Sequence, residues 1–134
     1  MKATIGHVGI NLSHGAKSFQ FWKELLLYLG FEFAEESDTH FDAKDGNSYL
    51  CINATGKEYR QHDFHRKQTG LNHIAFRVSS PEEVDTFVSG FLAPRGIEPL
   101  YGGAQAYPEY ADGYYAVYFE DPDRIKIEVV YEPV

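Results

Sequence analysis

Two strand-like segments that each carry a histidine recur along this 134-residue chain, and they constrain its fold more than any other feature. Residues 4–11 and 70–78 alternate between apolar residues and polar or small ones, which is the pattern of a β-strand with two different faces. His7 and His73 are 66 residues apart (73 − 7), and neighbouring apolar positions match at the same offset. We therefore predict a structural unit that occurs twice, with a chance match of a few apolar positions as the alternative.

The elements predicted after each histidine strand have the same order. In the first half, helical spacing over residues 16–29 is followed by three strands, near residues 31–34, 41 and 48–53. In the second half, Ser80, Pro81 and Glu83 form a helix start, and three strands follow, over residues 97–101, 114–120 and 125–131. The chain is therefore predicted to have an α+β fold made of two tandem βαβββ modules.

The second module is predicted to be longer than the first. The offset that superposes their last strands is 77 (127 − 50), which is 11 more than the offset at the first strands (77 − 66). Residues 102–113 are the expected place of the extra residues. A polar connector then joins module 1, at about residues 1–54, to module 2, at about residues 70–134, in a single domain of residues 1–134.

The composition limits the classes of partner. A net charge of −8 argues against nucleic acid and against anionic membranes. Cys51 is the single cysteine, so no internal disulfide can form, and a reducing compartment is expected. No apolar run approaches the length of a membrane span, and no signal peptide follows Met1. We expect a cytoplasmic protein with no nucleic-acid partner and no membrane partner.

One acidic residue lies in an otherwise apolar strand near the end of the chain. In the strand over residues 125–131, Glu128 lies on the face opposite the Ile and Val residues of the core. If the sheets curl so that the non-helical faces of the two halves meet, His7, His73 and Glu128 converge. Two imidazoles and one carboxylate suit a divalent metal with open positions, whereas a packed polar histidine is the alternative for His7 taken alone.

Four short segments, spread over essentially the whole chain, resemble the vicinal oxygen chelate (VOC) superfamily. They are GHVGI at residues 6–10, FW at 21–22, GLNHIAF at 70–76 and DPDRIKIEV at 121–129. That superfamily includes glyoxalase I, methylmalonyl-CoA epimerase, fosfomycin-resistance enzymes, extradiol dioxygenases and bleomycin-binding proteins. The resemblance implies paired βαβββ modules whose mixed sheets curl round a central cleft, and a small-molecule substrate that chelates a metal through vicinal oxygens.

The same resemblance implies a metal site and an assembly state. His7, His73 and Glu128 match the family's ligands on the first, fifth and eighth strands. The cofactor would be a divalent metal ion (Fe, Mn, Ni or Zn), and a homodimer is expected.

Three positions depart from the patterns of particular VOC enzymes. Cys51 lies at the fourth-strand position where members with four protein ligands carry Glu, Gln or His, which counts against glyoxalase I and epimerase activity. Extradiol dioxygenases and fosfomycin transferases use the three-ligand set alone, but the latter usually have Thr where this chain has Gly9. Arg124 replaces the usual glycine of the last turn.

The function expected from these patterns is a metal-dependent enzyme of the glyoxalase/dioxygenase type, either dioxygenase-like or lyase/isomerase-like. The alternative is a metal-free small-molecule binding protein of the bleomycin-resistance kind, which the acidic charge and the ten tyrosines would suit. A relic that keeps the metal without the chemistry is a third possibility.

Weaker candidate residues surround the insertion. The tyrosines there could line the site or supply a general acid, or they could be strand and interface residues: Tyr101, Tyr107, Tyr110, Tyr114 and Tyr115. Arg77 could meet an anionic substrate or pair with a nearby acid, and Cys51 could be a soft ligand or a small buried residue. His62 and His65, in the connector, are interpreted as a solvated surface pair.

Overall fold

Two four-stranded mixed sheets, one in each half of the chain, form the framework of the computed structural model, which describes residues 1–13 and 15–133. The chain divides into one unit, Met1–Asp63, and a second unit from Phe64 onward. Each unit has the order strand, helix and three strands. The prediction of an α+β fold with two tandem βαβββ modules is confirmed, whereas the single-domain span and the module bounds stay predictions.

The first unit contains five regular elements and a short 3-10 turn at Lys57–Tyr59. They are β1 (His7–Leu12), α1 (Ala16–Tyr28), β2 (Glu32–Ala34), β3 (His40–Lys44) and β4 (Tyr49–Ala54). The strand order is β1-β4-β3-β2, with β1 parallel to β4 and the other pairs antiparallel.

Helix α1 packs its apolar stripe on one face of this sheet. Trp22, Leu25 and Leu26 are completely buried, and the Phe19 ring contacts the Phe41 ring of β3 at a centroid distance of 5.7 Å. Since side chains alternate along a strand, the residues on either side of Phe41 lie on the opposite face. His40 and Asp42 are therefore on the face that does not pack against α1.

The second unit repeats this plan with irregular helical turns. Its elements are β5 (Ile74–Arg77), α2 (Pro81–Phe87), β6 (Gln105–Ala106), β7 (Tyr115–Glu120) and β8 (Lys126–Tyr131), in the sheet order β5-β8-β7-β6. Helix α2 begins as predicted, because the Ser80 hydroxyl accepts a hydrogen bond from the Glu83 amide at 3.3 Å. A π-helical turn, Val88–Leu92, and a 3-10 turn, Ala93–Arg95, extend it.

The parallel strand pairs of the two units have the same register. Gly9 of β1 lies opposite Cys51 of β4, and Ala75 of β5 lies opposite Glu128 of β8. These two pairs are related by the offsets of 66 and 77 read from the sequence, so the duplication holds at the level of individual residues. Cys51 therefore occupies in the first unit the position that Glu128 occupies in the second.

The strand predicted over residues 97–101 was wrong. Leu100–Gly102 form a 3-10 turn instead, and the short strand of the second unit is β6, which pairs with β7 inside the segment interpreted as an insertion. Pro99 has no amide hydrogen to donate to a ladder, and Tyr101 has a positive φ angle of 57°, so residues 97–101 do not form a continuous extended strand.

The start of β5 also differs from the prediction. Strand β5 begins at Ile74, so His73 lies immediately before the strand rather than within it. None of the helices in the described part of the chain has the length and apolar character that a membrane span requires.

Candidate functional site

The second unit brings two of the predicted site residues together. Glu128 lies in the middle of β8, and His73 directly precedes β5, the strand that pairs with β8. The His73 Nε2 atom is 3.2 Å from Glu128 Oε2. The Glu128 side chain is only 1% exposed, whereas that of His73 is 37% exposed, so the pair connects a buried carboxylate to the protein surface.

Asn72 orients the histidine ring of this pair. The Asn72 Oδ1 atom is 2.7 Å from His73 Nδ1, and an amide oxygen can only accept a hydrogen bond, so Nδ1 carries the proton. A neutral ring then presents the Nε2 lone pair to the carboxylate of Glu128. Two such acceptors at this distance repel each other unless a proton or a cation lies between them, which makes the pair a site for positive charge.

Tyrosines of the adjacent hairpin surround the carboxylate. The Tyr114 hydroxyl donates a hydrogen bond of 2.6 Å to Glu128 Oε1. Tyr118 of β7 lies directly opposite Glu128 in the sheet and meets the His73 ring edge-on at a centroid distance of 6.1 Å. Burial, and then the Glu128 carboxylate, raise the pKa of both phenols. Both therefore stay neutral hydrogen-bond donors at physiological pH.

An alkaline titration checks the state of these two phenols. Unperturbed tyrosines ionise near a pH of about 10. Since the folded state holds the pKa of Tyr114 and Tyr118 above that value, their contribution to stability is complete below it and is lost as the pH rises further. We expect ultraviolet absorbance to show fewer than ten tyrosines ionising in the native step, with the rest ionising only on unfolding. Ten ionisations in one reversible native step would contradict this.

The His73–Glu128 pair fits two positions of a metal site. Nitrogen and oxygen ligands that bind one divalent ion at about 2.0–2.2 Å lie about 3.0–3.4 Å apart when the angle between them is near a right angle or tetrahedral. The observed 3.2 Å lies in that range. A carboxylate that is buried and already hydrogen-bonded is also the kind of ligand that holds a metal firmly. Within residues 1–13 and 15–133, the structure brings no three His, Cys, Asp or Glu side chains together in the arrangement of a metal site, so the pair supplies two ligand positions and not three.

His7, the third predicted ligand, belongs to the first unit. It is the first residue of β1, and its exposed imidazole stacks on the Tyr49 ring with a centroid distance of 4.8 Å and an angle of 22°. Tyr49 is its partner in the parallel β1–β4 register. The ring is thus held by the neighbouring strand, and its role as a ligand stays a prediction.

The first unit has a polar cluster of its own on β3 and β4. Asp42 lies directly opposite Cys51, and His40 lies opposite Asn53. The His40 ring links the two pairs, since its Nδ1 is 2.7 Å from Asn53 Oδ1 and its Nε2 is 3.1 Å from Asp42 Oδ1. Burial, and then the Asp42 carboxylate, raise the pKa of the Cys51 thiol. In the absence of a metal, Cys51 is therefore mostly a protonated thiol at neutral pH and a weak nucleophile.

The reactivity of Cys51 gives a direct check of this assignment. Because only the thiolate reacts, we expect the native protein at pH 8 to react with a disulfide reagent more slowly than the unfolded chain does. Asp42→Asn should speed up the native reaction, since it removes the negative charge beside the sulfur. A native rate equal to the unfolded rate would show that neither burial nor Asp42 controls the thiol.

The weaker candidates have separate environments. Arg77 pairs with Glu132 at 2.9 Å, so of its two predicted roles the ion pair is the one observed. Tyr115 donates to Asp85 at 2.8 Å, away from Glu128. The Tyr107 hydroxyl is buried and has no hydrogen-bond partner among the described residues. Tyr101 contacts Tyr118 and a lysine of β8.

Two residues near the pair were missed by the sequence reasoning. Asn72 lies in the strand-like segment over residues 70–78, but β5 begins after it, and its side-chain amide contacts His73 instead. Tyr118 lies in the strand predicted over residues 114–120, where the sequence predicts no role for it in the site. The hairpin loop at residues 121–125 contains a signal for Tyr118, because a five-residue loop between Glu120 and Lys126 places residues 118 and 128 opposite each other.

Comparisons with known proteins agree with this architecture. The sequence model of the Glyoxalase/Bleomycin resistance protein/Dioxygenase superfamily matches residues 4–129. The uncharacterised protein YqjT of Bacillus subtilis (strain 168) is 33% identical over 124 residues, which are 92% of this chain and 95% of YqjT. A candidate glyoxalase from Bacillus halodurans, of known crystal structure, has a TM-score of 0.83 at 38% identity, with 98% of this chain and 97% of that chain covered. Lactoylglutathione lyase from Agrobacterium tumefaciens shares the fold, with a TM-score of 0.68 at 18% identity over 97% of this chain and 94% of the lyase.

Proposed function

Because this chain belongs to the Glyoxalase/Bleomycin resistance protein/Dioxygenase superfamily, we propose that it is a divalent-metal-dependent enzyme. Members of this superfamily often use divalent metals. The substrate would be a small molecule that offers two vicinal oxygens, and the metal ligands would be His7, His73 and Glu128. We also propose that the enzyme is a homodimer, which light scattering would measure.

The observation that carries this proposal is the buried carboxylate beside an oriented imidazole. Burying a charged carboxylate costs several kcal/mol of free energy unless a partner compensates for it. A cation bound beside the carboxylate would supply free energy of about that size. The Glu128 side chain is 1% exposed, and the Nε2 atom of His73 faces it at 3.2 Å. Asn72 fixes the ring so that Nε2 is the free ligand atom. These features support a cation between the two side chains.

A divalent ion bound there would act as a Lewis acid on a substrate oxygen. Tyr114 holds the Glu128 carboxylate in place through its hydrogen bond, and Tyr118 remains a neutral donor beside His73. Cys51 supplies no carboxylate at the position where glyoxalase I has its glutamate base, and its thiol is protonated. This difference counts against glyoxalase I chemistry and leaves a dioxygenase-like reaction or a different lyase/isomerase-like reaction.

Metal analysis tests the proposal. Protein purified without chelator should contain stoichiometric metal, and His73→Ala should lose it because one ligand and the ring beside Glu128 are removed. His65→Ala is the matched control, since His65 lies in the connector and accepts a hydrogen bond from the Lys67 amide. Absence of stoichiometric metal from both the wild type and His73→Ala, also after incubation with Fe(II), Mn(II), Ni(II) or Zn(II), would overturn the proposal.

A metal-free binding protein for aromatic drugs is the second candidate. It is favoured by the stacked pair of Tyr107 and Tyr110, whose ring centroids are 5.5 Å apart, because Tyr110 is 63% exposed and offers a flat surface. In that case bleomycin would raise the thermal unfolding temperature, whereas the four metals would leave it unchanged. The opposite result would support the enzyme.

A further inference from the structure

Three cationic side chains gather around one carboxylate at the end of the β7–β8 hairpin. We call Arg66, Arg124 and Lys126 the basic cluster, and the carboxylate is that of Glu120. Asp121 and Asp123 lie in the same turn, so this end of the hairpin has as many carboxylates as cations. A cation of the cluster that lacks a carboxylate partner is nevertheless a candidate contact for an anion.

The two arginines donate hydrogen bonds to both carboxylate oxygens of Glu120. Arg66 Nη1 donates to Oε1 at 2.9 Å, and Arg124 Nε donates to Oε2 at 3.1 Å. Lys126 lies directly opposite Glu120 in the β7–β8 ladder, yet it forms no ion pair with a carboxylate among residues 1–13 and 15–133. Lys126 is thus the cation of the cluster that lacks a carboxylate partner among the described residues.

Aromatic rings hold Lys126 in a defined position. Its Nζ atom is 4.6 Å from the centroid of the Tyr118 ring and 4.9 Å from that of the Tyr101 ring. A cation over two aromatic faces loses part of its hydration while it keeps its full charge. Lys126 and Glu128 are two residues apart in β8, so they lie on the same face of the strand, with their Cα atoms about 6.5–7 Å apart. The Tyr118 ring contacts both the Lys126 ammonium group and the His73 ring, so Lys126 and the His73–Glu128 pair share one aromatic neighbour.

Tyr101, which contacts Lys126, has a strained backbone conformation. Its φ angle is 57°, in the left-handed region that an aromatic residue rarely occupies, and its carbonyl accepts a hydrogen bond of 2.5 Å from the side-chain Nε2 of Gln105. Its side chain is nonetheless 54% exposed. A hydrogen bond with Lys126 lowers the pKa of the Tyr101 phenol against the opposing effect of burial. Strain at an exposed residue beside the Lys126 cation suggests a binding role.

We propose that Lys126 and Tyr101 form an anion site for a carboxylate or phosphonate group of the substrate. This inference rests on the proposed function, since it places the anionic group next to the vicinal oxygens that the metal would take. The Lys126 ammonium supplies the charge, and the Tyr101 hydroxyl supplies a second hydrogen bond to the same planar or tetrahedral oxygen group. The substrate class is then a small organic oxyacid. Its anionic group would lie about 6.5–7 Å from its chelating oxygens, which is the spacing of two residues along a strand.

Isothermal titration with simple anions tests the anion site. Benzoate and phenylphosphonate are the probes, which separate the two kinds of anion, and benzyl alcohol is the neutral control. We expect one or both anions to bind the wild type at millimolar concentration. Lys126→Met should weaken binding about 10-fold or more, whereas Lys126→Arg should keep most of it. Tyr101→Phe should weaken it less than Lys126→Met does.

Matched variants separate a local effect from the loss of net charge. Lys57→Met removes the same charge from an exposed position of the first unit and should leave binding unchanged. Tyr59→Phe removes a hydroxyl from a tyrosine that is 63% exposed and is the control for Tyr101→Phe. Absence of binding by both anions to the wild type, equal binding by Lys126→Met, or equal binding of benzyl alcohol would each overturn the proposal.

The same titration distinguishes this proposal from the metal proposal. It is carried out with and without chelator, and also on His73→Ala. Anion binding that depends on Lys126 but not on chelator supports the anion site even if no metal is found. Stoichiometric metal together with anion binding that Lys126→Met leaves intact supports the metal site alone.

Discussion

Glu128→Gln is expected to raise the dissociation constant for a divalent metal about 100-fold or more. Glutamine has nearly the same shape as glutamate, so its oxygen can still accept the hydrogen bond that Tyr114 donates. The negative charge is lost, however, and with it most of the attraction for a cation at a site that is only 1% exposed. Calorimetric titration with Mn(II), Fe(II), Ni(II) and Zn(II) measures the change.

The same substitution should have the opposite effect on the metal-free protein. A buried carboxylate costs free energy when no cation compensates for it, and a neutral amide does not. The free energy of unfolding in chelator should therefore be equal to or higher than that of the wild type. Glu132→Gln is the control, because Glu132 forms an exposed ion pair with Arg77 and should affect neither quantity. A large loss of stability in metal-free Glu128→Gln would show that Glu128 has a structural role instead.

Leu26→Ala is expected to reduce the free energy of unfolding by about 2–5 kcal/mol. Leu26 lies in α1 and is completely buried, so its removal leaves a cavity between the helix and its sheet. The loss is a large part of the total stability of a small protein, which is about 5–15 kcal/mol. Urea denaturation followed by circular dichroism measures it.

The neighbouring residue offers a closely matched control. Leu27 is on the same helix, but its side chain is 67% exposed. Leu27→Ala should therefore change the free energy of unfolding by about 0.5 kcal/mol or less. Similar losses for the two variants would contradict the orientation of α1 described above.

The architecture could be predicted from the sequence because hydrophobic periodicity and the repeat agree. The offsets of 66 and 77 imply the register that pairs Gly9 with Cys51 and Ala75 with Glu128. Residues 97–101 form no strand although Ile97, Leu100 and Tyr101 are apolar or aromatic, because Pro99 and the glycines that follow favour a turn. Short apolar runs beside turn residues are ambiguous between strand and turn.

The pairing of His73 with Glu128 was predictable from the chain, but its immediate environment was not. Alternation along β8 indicates that Glu128 lies on the non-core face, and the parallel β5–β8 pair brings it near His73. The contact of Asn72 depends on where β5 begins, which periodicity does not determine to within one residue. The contact of Tyr101 with Lys126 depends on a single left-handed φ angle, for which a tyrosine gives no sequence signal.

The shared register of the two units also suggests how the halves of a duplicated protein specialise. Asp42 lies opposite Cys51, whereas Tyr118 lies opposite Glu128, so the copies differ at paired positions across the sheet. A carboxylate introduced by Cys51→Glu would face the charge of Asp42 and be repelled. Installing it would require Asp42→Tyr at the same time, which copies the pair found in the second unit. At this position, the two modules therefore differ by a cross-strand pair and not by a single residue, and engineering that reverses the difference has to change both members.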